Sequence, residues 1–150
     1  MSNDPVMLIT GGSSGIGEAT ARAAHKAGYR LVLSARSEDK LEHLQTELGG
    51  SERVMIARCD VQSMEDQQAV VDKALATFGQ IDAVFVNAGR GGEPGGFSSA
   101  DHEVWKDMIL TNVYGAGLTV QSCLPALRKS RGHLLLTGSA AGRTTIPGSM

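Results

Sequence analysis

Five short apolar runs, separated by stretches with helical spacing, limit the possible folds of this chain more than any other feature. The runs cover residues 6–10, 30–35, 53–58, 83–87 and 133–137, and each is long enough for one strand. They are continuous rather than alternating, which is typical of strands buried on both faces of a sheet. Strands that alternate with helices along the chain favour a parallel sheet.

The stretches between the runs predict the helices that would cover this sheet. Ser37 and Ser63 each precede such a stretch and are predicted N-caps, and Ser63 with Asp66 resembles a capping box. Ser99 is the predicted cap of a later helical region, and the helical pattern continues over about residues 112–129. This order predicts an α/β fold with a Rossmann-type, doubly wound parallel sheet of five strands, incomplete at its C-terminal side because a full sheet has a sixth strand.

Length, charge and composition bound the class of protein. With 150 residues the chain favours one domain over residues 1–150, and its net charge of −2 argues against a nucleic-acid surface. No window approaches about 18 uncharged apolar residues, so no membrane span is expected. The start of the chain lacks the features of a signal peptide, so we expect a cytoplasmic protein. Two cysteines and four scattered histidines predict neither a disulfide framework nor a metal site.

A glycine-rich loop, TGGSSGIG at residues 10–17, joins the first predicted strand to the first predicted helix. Glycine lets the backbone turn sharply and approach a pyrophosphate, while the helix amino terminus offers free N–H groups and a partial positive charge. A tight turn would explain the glycines alone, but the order of strand, loop and helix favours a dinucleotide site. The predicted binding residues in this loop are Gly11, Ser13, Ser14, Gly15, Ile16 and Gly17.

The spacing TGxxxGxG resembles the loop of the short-chain dehydrogenase/reductase family. Further matches follow in the family's order after the third, fourth and fifth predicted strands and in the long helix between the last two. They are Asp60-Val61, Asn87-Ala88-Gly89, Asn112 and Ser139. Each match has an ordinary structural explanation when taken singly, but together they extend over nearly the whole chain.

The resemblance implies hydride transfer between a nicotinamide cofactor and a small carbonyl or alcohol substrate. It further implies that Ser139 orients the carbonyl and that Asn112 helps to hold a proton relay. The family's YxxxK motif, which supplies the proton, occurs nowhere in the sequence. We therefore expect the amino-terminal portion of an oxidoreductase, truncated before the YxxxK helix and inactive as 150 residues. The alternative is a non-catalytic dinucleotide-binding or interaction module.

The residues that follow the second predicted strand favour NADP over NAD. An acidic side chain there would bind the adenosine ribose of NAD, but the sequence has Arg36, nineteen positions after Gly17. A guanidinium can bind a 2′-phosphate bidentately, and Ser13 and Ser37 could add hydroxyl donors. The Arg also argues against a third possibility, a methyltransferase.

Further binding roles come from the resemblance. It implies that Asp60 accepts a hydrogen bond from the adenine amino group, although capping of a turn is the alternative. It places the backbone of residues 87–89 against the adenosine ribose, and it implies a homodimer or homotetramer. Arg90 and Arg143 are candidates to face an anionic substrate, although solvation is the favoured interpretation for both. The sequence names no particular substrate.

Overall fold

Five parallel strands form one sheet in this computed structural model, which describes residues 4–92 and 97–144. The strands stand in the order β3-β2-β1-β4-β5. Their bounds are β1 (Val6–Thr10), β2 (Arg30–Ala35), β3 (Val54–Arg58), β4 (Ala83–Val86) and β5 (His133–Leu136). The predicted Rossmann-type parallel sheet is confirmed, and the strand order reverses between β1 and β4.

Helices lie between the strands along the chain. They are α1 (Gly15–Lys26), α2 (Glu38–Glu47), α3 (Met64–Phe78), α4 (His102–Ile109) and α5 (Ala116–Ser130). A π-helical segment, Leu110–Gly115, joins α4 to α5, and short 3₁₀ turns lie at Phe97–Ser99 and Ala140–Gly142. Within the described residues, no helix is long and apolar enough to cross a membrane.

Side chains that alternate along the central strand supply two hydrophobic cores, one on each face of the sheet. Val6 and Leu8 pack in the core that also holds residues of α3 and α5. Ile9 packs in the other core, with residues of α1 and α2. Because successive side chains of a strand point to opposite faces, a continuous apolar run is what two covered faces require.

The predicted helix caps are only partly correct. The Ser63 hydroxyl oxygen accepts a hydrogen bond from the Asp66 N–H at 3.1 Å, which confirms Ser63 as a cap. The Asp66 carboxylate accepts from the Asp60 N–H at 2.8 Å, which ties it to the preceding turn. Ser37 occupies the N-cap position of α2, but its side chain makes no capping hydrogen bond.

The predicted cap at Ser99 is wrong. Ser99 lies in a 3₁₀ turn, whereas the Asp101 carboxylate directly precedes α4 and accepts from the Glu103 N–H at 2.9 Å. A carboxylate at this position also interacts favourably with the positive end of the helix dipole. The helical pattern predicted to continue over residues 112–129 corresponds to part of the π-helical segment and to α5, which follow α4 without a break.

Strand β5 lies at one edge of the sheet and pairs with β4 alone within the described part of the chain. Its apolar side chains are exposed: Leu134 is 37%, Leu135 56% and Leu136 52% accessible. The apolar run therefore has the sequence of a buried strand without the cover that the other strands receive.

Candidate functional site

A cleft of about 850 Å³ opens at the carboxyl ends of the strands, beside the point where the strand order reverses. Ligands of doubly wound sheets bind at this position, and the volume lies in the range of small-molecule sites. Twelve of the fourteen residues predicted for the site line it. They are Gly11, Ser13, Ser14, Ile16, Arg36, Asp60, Val61, Asn87, Ala88, Gly89, Asn112 and Ser139.

The other two predicted residues, Gly15 and Gly17, shape the loop from behind. A Cβ atom on Gly17 would lie 2.2 Å from the carbonyl oxygen of Gly11, so the start of α1 can approach the loop only with glycine there. Gly11 and Gly15 have positive φ angles of 66° and 56°, which other residues adopt at a cost. These glycines therefore bring the amino terminus of α1 against the end of β1.

Asn87 and Thr10 hold the glycine loop against the end of β4. The Thr10 hydroxyl oxygen accepts hydrogen bonds from the N–H groups of Asn87 and Ala88, each at 3.1 Å. The Asn87 side-chain amide donates to the carbonyl oxygens of Thr10 at 3.1 Å and Gly11 at 3.3 Å. The side chain of Asn87 thus binds the loop, and Thr10, which sequence reasoning did not single out, is 1% exposed and central to this contact.

The first turn of α1 has the features of an anion site. Ser14 is the N-cap residue with an extended backbone, and its side chain makes no capping hydrogen bond. Amides of a helix first turn lack intrahelical partners, and together with the helix dipole they favour a bound anion. Ser14 and Ile16 line the cleft at this turn. The loop and helix therefore fit the pyrophosphate of a dinucleotide.

Two cations stand where β2 leads into α2. Arg36 is exposed, and both it and Lys40 line the cleft. Within residues 4–92 and 97–144, neither forms an ion pair. Lys40 was not among the predicted site residues. Its position, four residues after Arg36 and in the first turn of the predicted helix, could have identified it. This corner of the cleft carries unpaired positive charge.

Asp60 shapes the turn after β3. One of its carboxylate oxygens accepts from the Gln62 N–H at 3.0 Å, and its own N–H donates to Asp66. Asp60 therefore caps the turn, which was the alternative to adenine binding in the sequence analysis. Asp60 also lines the cleft beside Val61.

Asn112 and Ser139 line the cleft from the π-helical segment and from the residues after β5. The Asn112 side chain accepts from the Arg90 N–H and donates to the Arg90 carbonyl oxygen, both at 2.9 Å. It therefore fixes the backbone that follows β4. The Ser139 hydroxyl oxygen accepts from the Ala141 N–H at 3.2 Å, which leaves its O–H able to donate to another oxygen.

A polar cluster around Asp107 was not predicted from the sequence. The Gln62 side chain donates to the Asp107 carboxylate at 2.6 Å and to the Thr111 hydroxyl at 3.0 Å. Arg90 forms an ion pair with the same carboxylate. The sequence indicated only that an Arg follows β4, not that it has this partner. Hydrogen bonds from Gln62 and then from Arg90 hold the pKa of Asp107 below its usual value. Arg90 is therefore paired and not simply solvated.

The thiol that lines the cleft is inert. Cys59 is 2% exposed, and its burial, with the nearby charges of Asp66 and Asp60, raises its pKa to about 12. A thiol with so high a pKa stays protonated near neutrality and is a poor nucleophile. Among the described residues, His, Cys, Asp and Glu side chains form no group that could hold a metal ion.

Comparison with curated proteins gives a consistent result over almost the whole chain. A family model described as short chain dehydrogenase matches residues 5–150. An uncharacterised oxidoreductase of Listeria innocua is 38% identical over 146 residues, and one of Staphylococcus saprophyticus is 37% identical over 148 residues. These alignments cover 95% and 97% of this chain but 58% and 59% of the relatives. The chain thus spans less than two thirds of their length.

Solved structures agree in fold. An alcohol dehydrogenase from Thermococcus sibiricus, complexed with 5-hydroxy-NADP, is 36% identical with a TM-score of 0.90. The match covers 97% of this chain and 62% of the dehydrogenase chain. A short-chain dehydrogenase/reductase from Burkholderia phymatum, in complex with NAD, is 30% identical with the same TM-score of 0.90, over 97% of this chain and 53% of its own. On its sequence motifs, its parallel sheet and these matches, the chain belongs to the short-chain dehydrogenase family.

Proposed function

We propose that residues 1–150 form the cofactor-binding part of an oxidoreductase that uses NADP(H) in preference to NAD(H) and acts on a small carbonyl or alcohol substrate. The observation that carries the proposal is the cleft at the strand ends, with the first turn of α1 on one side and the unpaired cations Arg36 and Lys40 on another. NADP(H) carries a pyrophosphate and a 2′-phosphate, and these two anionic groups match the two positive sites.

Each part of the cleft has a task in this proposal. The amides of the α1 first turn bind the pyrophosphate, and Arg36, with Lys40 and the hydroxyls of Ser13 and Ser37, binds the 2′-phosphate. The turn at Asp60-Val61 and the backbone at residues 87–89 hold the adenosine. The related structures support a nicotinamide dinucleotide in general, since one is a complex with 5-hydroxy-NADP and another a complex with NAD.

The chemical step belongs to the nicotinamide, which supplies or accepts a hydride when bound. The Ser139 hydroxyl donates a hydrogen bond to the substrate oxygen and so favours the negative charge that develops there. Asn112 holds the Arg90 backbone at the edge of the same cleft. Neither Tyr29 nor Tyr114 is followed by Lys four positions later, so we propose that the proton donor and its Lys are supplied by residues beyond 150.

Charge reversal at Arg36 tests the cofactor preference. We expect Arg36→Asp to weaken NADP+ binding by about a hundredfold, the scale of losing a charge-assisted bidentate contact, and to change NAD+ binding far less. Arg58→Asp is the matched control, because Arg58 is exposed at the end of the neighbouring strand, opposite Ala35, and does not line the cleft. Equal loss of both cofactors in the Arg36 variant would refute the preference. Titration calorimetry measures both constants.

The competing function is a dinucleotide-binding module without catalysis, and the missing YxxxK motif is the observation that favours it. A protein carrying the coding sequence beyond residue 150 decides between the two. Oxidation of NADPH by that protein with a panel of aldehydes and ketones supports the oxidoreductase. Tight NADPH binding with no Tyr-x-x-x-Lys in the added residues supports the module.

A further inference from the structure

Thr111 and Asn112, which line the cleft, belong to the π-helical segment Leu110–Gly115. π-helices are rare and occur mostly as a single turn within α-helices, frequently at functional sites. This one joins α4 directly to α5. A π-helical hydrogen bond spans one residue more than an α-helical one, so relaxation of the segment to α-helix would rotate α5 relative to α4 by about 100°, the angle of one residue. Contacts outside the segment are therefore needed to hold the direction in which Asn112 points.

Gln62 holds the π-helical segment at its amino-terminal side. It lies on the turn between β3 and α3, and its side-chain amide donates to the Asp107 carboxylate at 2.6 Å and to the Thr111 hydroxyl at 3.0 Å. Asp107 lies in α4, about one helical turn before Thr111. One amide therefore binds both α4 and the start of the π-helical segment.

Gln67 holds the π-helical segment at its carboxyl-terminal side. It lies on α3, is 3% exposed, and its side-chain amide donates to the Thr119 hydroxyl at 2.7 Å and to the Gly115 carbonyl oxygen at 3.4 Å. The Thr119 hydroxyl donates to the same carbonyl oxygen at 2.9 Å. The Gln67 amide also donates to the Val61 carbonyl oxygen at 3.1 Å, so it joins the end of the segment to a residue that lines the cleft.

The two glutamines thus bind opposite ends of the π-helical segment. A Cβ atom on Gly115 would lie 2.8 Å from the Val61 Cγ2 atom and 3.0 Å from the Val61 carbonyl oxygen, so the end near α5 lies directly against the turn after β3. A rotation of about 100° at either end would break the contacts of one glutamine.

Asn112 lies between these two ends, and its side chain binds the backbone that follows β4. The Oδ1 atom accepts from the Arg90 N–H, and the Nδ2 atom donates to the Arg90 carbonyl oxygen, both at 2.9 Å. A Cβ atom on Gly89 would lie 3.2 Å from the same Oδ1 atom, so the side chain also packs against the backbone at residue 89. The position of this part of the cleft wall therefore depends on the direction of one side chain in the π-helical segment.

We propose that Gln62 and Gln67 are positioning residues of the cofactor site: together they hold Leu110–Gly115 in its π-helical form and so place Asn112 where it fixes the backbone after β4. This rests on the proposed function, in which the backbone of residues 87–89 holds the adenosine. Neither glutamine lines the cleft, so both act through the segment that does. Their effect is on the position of the wall and not on its charge, so it concerns NADP and NAD alike.

Nuclear Overhauser effects in the folded, unliganded chain test the proposal. The Arg90 N–H donates to Asn112, so the wild type should give a cross-peak between the Arg90 amide proton and the Asn112 side chain. Gln67→Met and Gln62→Met keep about the same side-chain length and remove the donors. We expect the cross-peak to be lost in both variants, because the segment relaxes to α-helix and turns Asn112 away. A merely structural role would lower the urea midpoint and leave the cross-peak in place.

The matched control is Gln68→Met, because Gln68 is an exposed neighbour of Gln67 on α3 and donates to Asp72 of the same helix at 2.9 Å. This variant should keep the cross-peak. Titration calorimetry gives a second readout. The two test variants should weaken NADP+ and NAD+ binding by the same factor, about threefold, the scale of one neutral hydrogen bond, and leave the ratio of the two dissociation constants unchanged.

A cross-peak retained in either folded test variant overturns the proposal, as does weakened binding of one cofactor without the other. If Gln67→Met does not fold, Gln62→Met at its half-buried position decides alone. The cross-peak requires no cofactor, so the proposed function can fail separately. If neither cofactor binds the wild type and the cross-peak is lost in both variants, the proposed function fails while the glutamines still hold the segment. If Arg36→Asp behaves as expected and the cross-peak is retained, only the role of the glutamines fails.

Discussion

Gly17→Ala tests the close approach of α1 to the glycine loop most directly. A Cβ atom at residue 17 would lie 2.2 Å from the Gly11 carbonyl oxygen, 2.7 Å from the Asn87 side-chain nitrogen and 2.9 Å from the Gly11 carbonyl carbon. Two of these three atoms belong to the backbone, so the contact cannot be relieved by rotating a side chain. The loop would have to move away from the helix that carries residue 17.

The size of the effect follows from two opposing terms. Alanine in a helix is favoured over glycine by about 1 kcal/mol. The clash costs about 3 kcal/mol, at the upper end for overpacking, because backbone is displaced. The net loss of unfolding free energy is therefore about 2 kcal/mol. Gly117→Ala is the matched control, because a Cβ atom added to Gly117 in α5 would meet nothing within 4 Å, and that variant should gain about 0.5–1 kcal/mol.

Urea unfolding followed by far-UV circular dichroism measures both variants. With an m value of about 2 kcal/mol per M, we expect the midpoint to fall by about 1 M for Gly17→Ala and to rise slightly for Gly117→Ala. NADP+ binding should be lost in the first variant and retained in the second. Equal stability of the two variants would mean that α1 does not approach Gly11 as closely as described.

Four further predictions concern buried or paired polar groups. Thr10→Val keeps the side-chain shape but leaves the N–H groups of Asn87 and Ala88 without their acceptor. The free energy of unfolding should therefore fall by about 2–4 kcal/mol. The control, Thr77→Val at an exposed position of α3, should change it little. Burial raises the pKa of Cys59 to about 12 and that of Cys123 to about 11, so a thiol reagent at pH 8 should label neither until urea unfolds the chain; labelling of the folded protein would contradict their burial. Both raised pKa values stabilise the folded state below about pH 9 and progressively less above it, which a series of urea midpoints between about pH 8 and 11 would detect. The hydrogen bonds from Gln62 and Arg90 lower the pKa of Asp107, so any stabilising effect of its charge is present above the usual pKa of an Asp carboxyl and is lost as pH falls through the lowered pKa; a stability difference between wild type and Asp107→Asn that does not change as pH falls would refute this.

The strands and most of the helices were predictable because burial on both faces leaves an unmistakable pattern. Runs such as 6–10 and 30–35 match β1 and β2 at both ends. The glycine loop was predictable for a related reason, since few side chains fit where α1 meets Gly11. Sequence motifs placed twelve of the fourteen predicted residues on a single cleft, because the carboxyl ends of parallel strands meet at one edge.

The features that the sequence did not reveal depend on contacts between distant residues. Gln62 and Asp107 are 45 positions apart, and neither belongs to a recognisable motif. The role of Thr10 depends on the relative position of β1 and β4. The cap of α4 was placed two positions early because Ser99 and Asp101 are both of residue types that commonly cap helices. Asn87 carried a binding motif, yet its side chain serves the loop, which only the packed structure could distinguish.

Mapping of NADP+ binding by amide chemical shifts tests the central claim most directly, that this chain binds a dinucleotide in the cleft at its strand ends. We expect the largest shifts at the amides of residues 11–17, at Arg36, at Asp60 and at residues 87–89, with little change on the outer surfaces of α3 and α5. We also expect NAD+ to reproduce these shifts except around Arg36. Shifts absent from residues 11–17, or concentrated away from the strand ends, would contradict it.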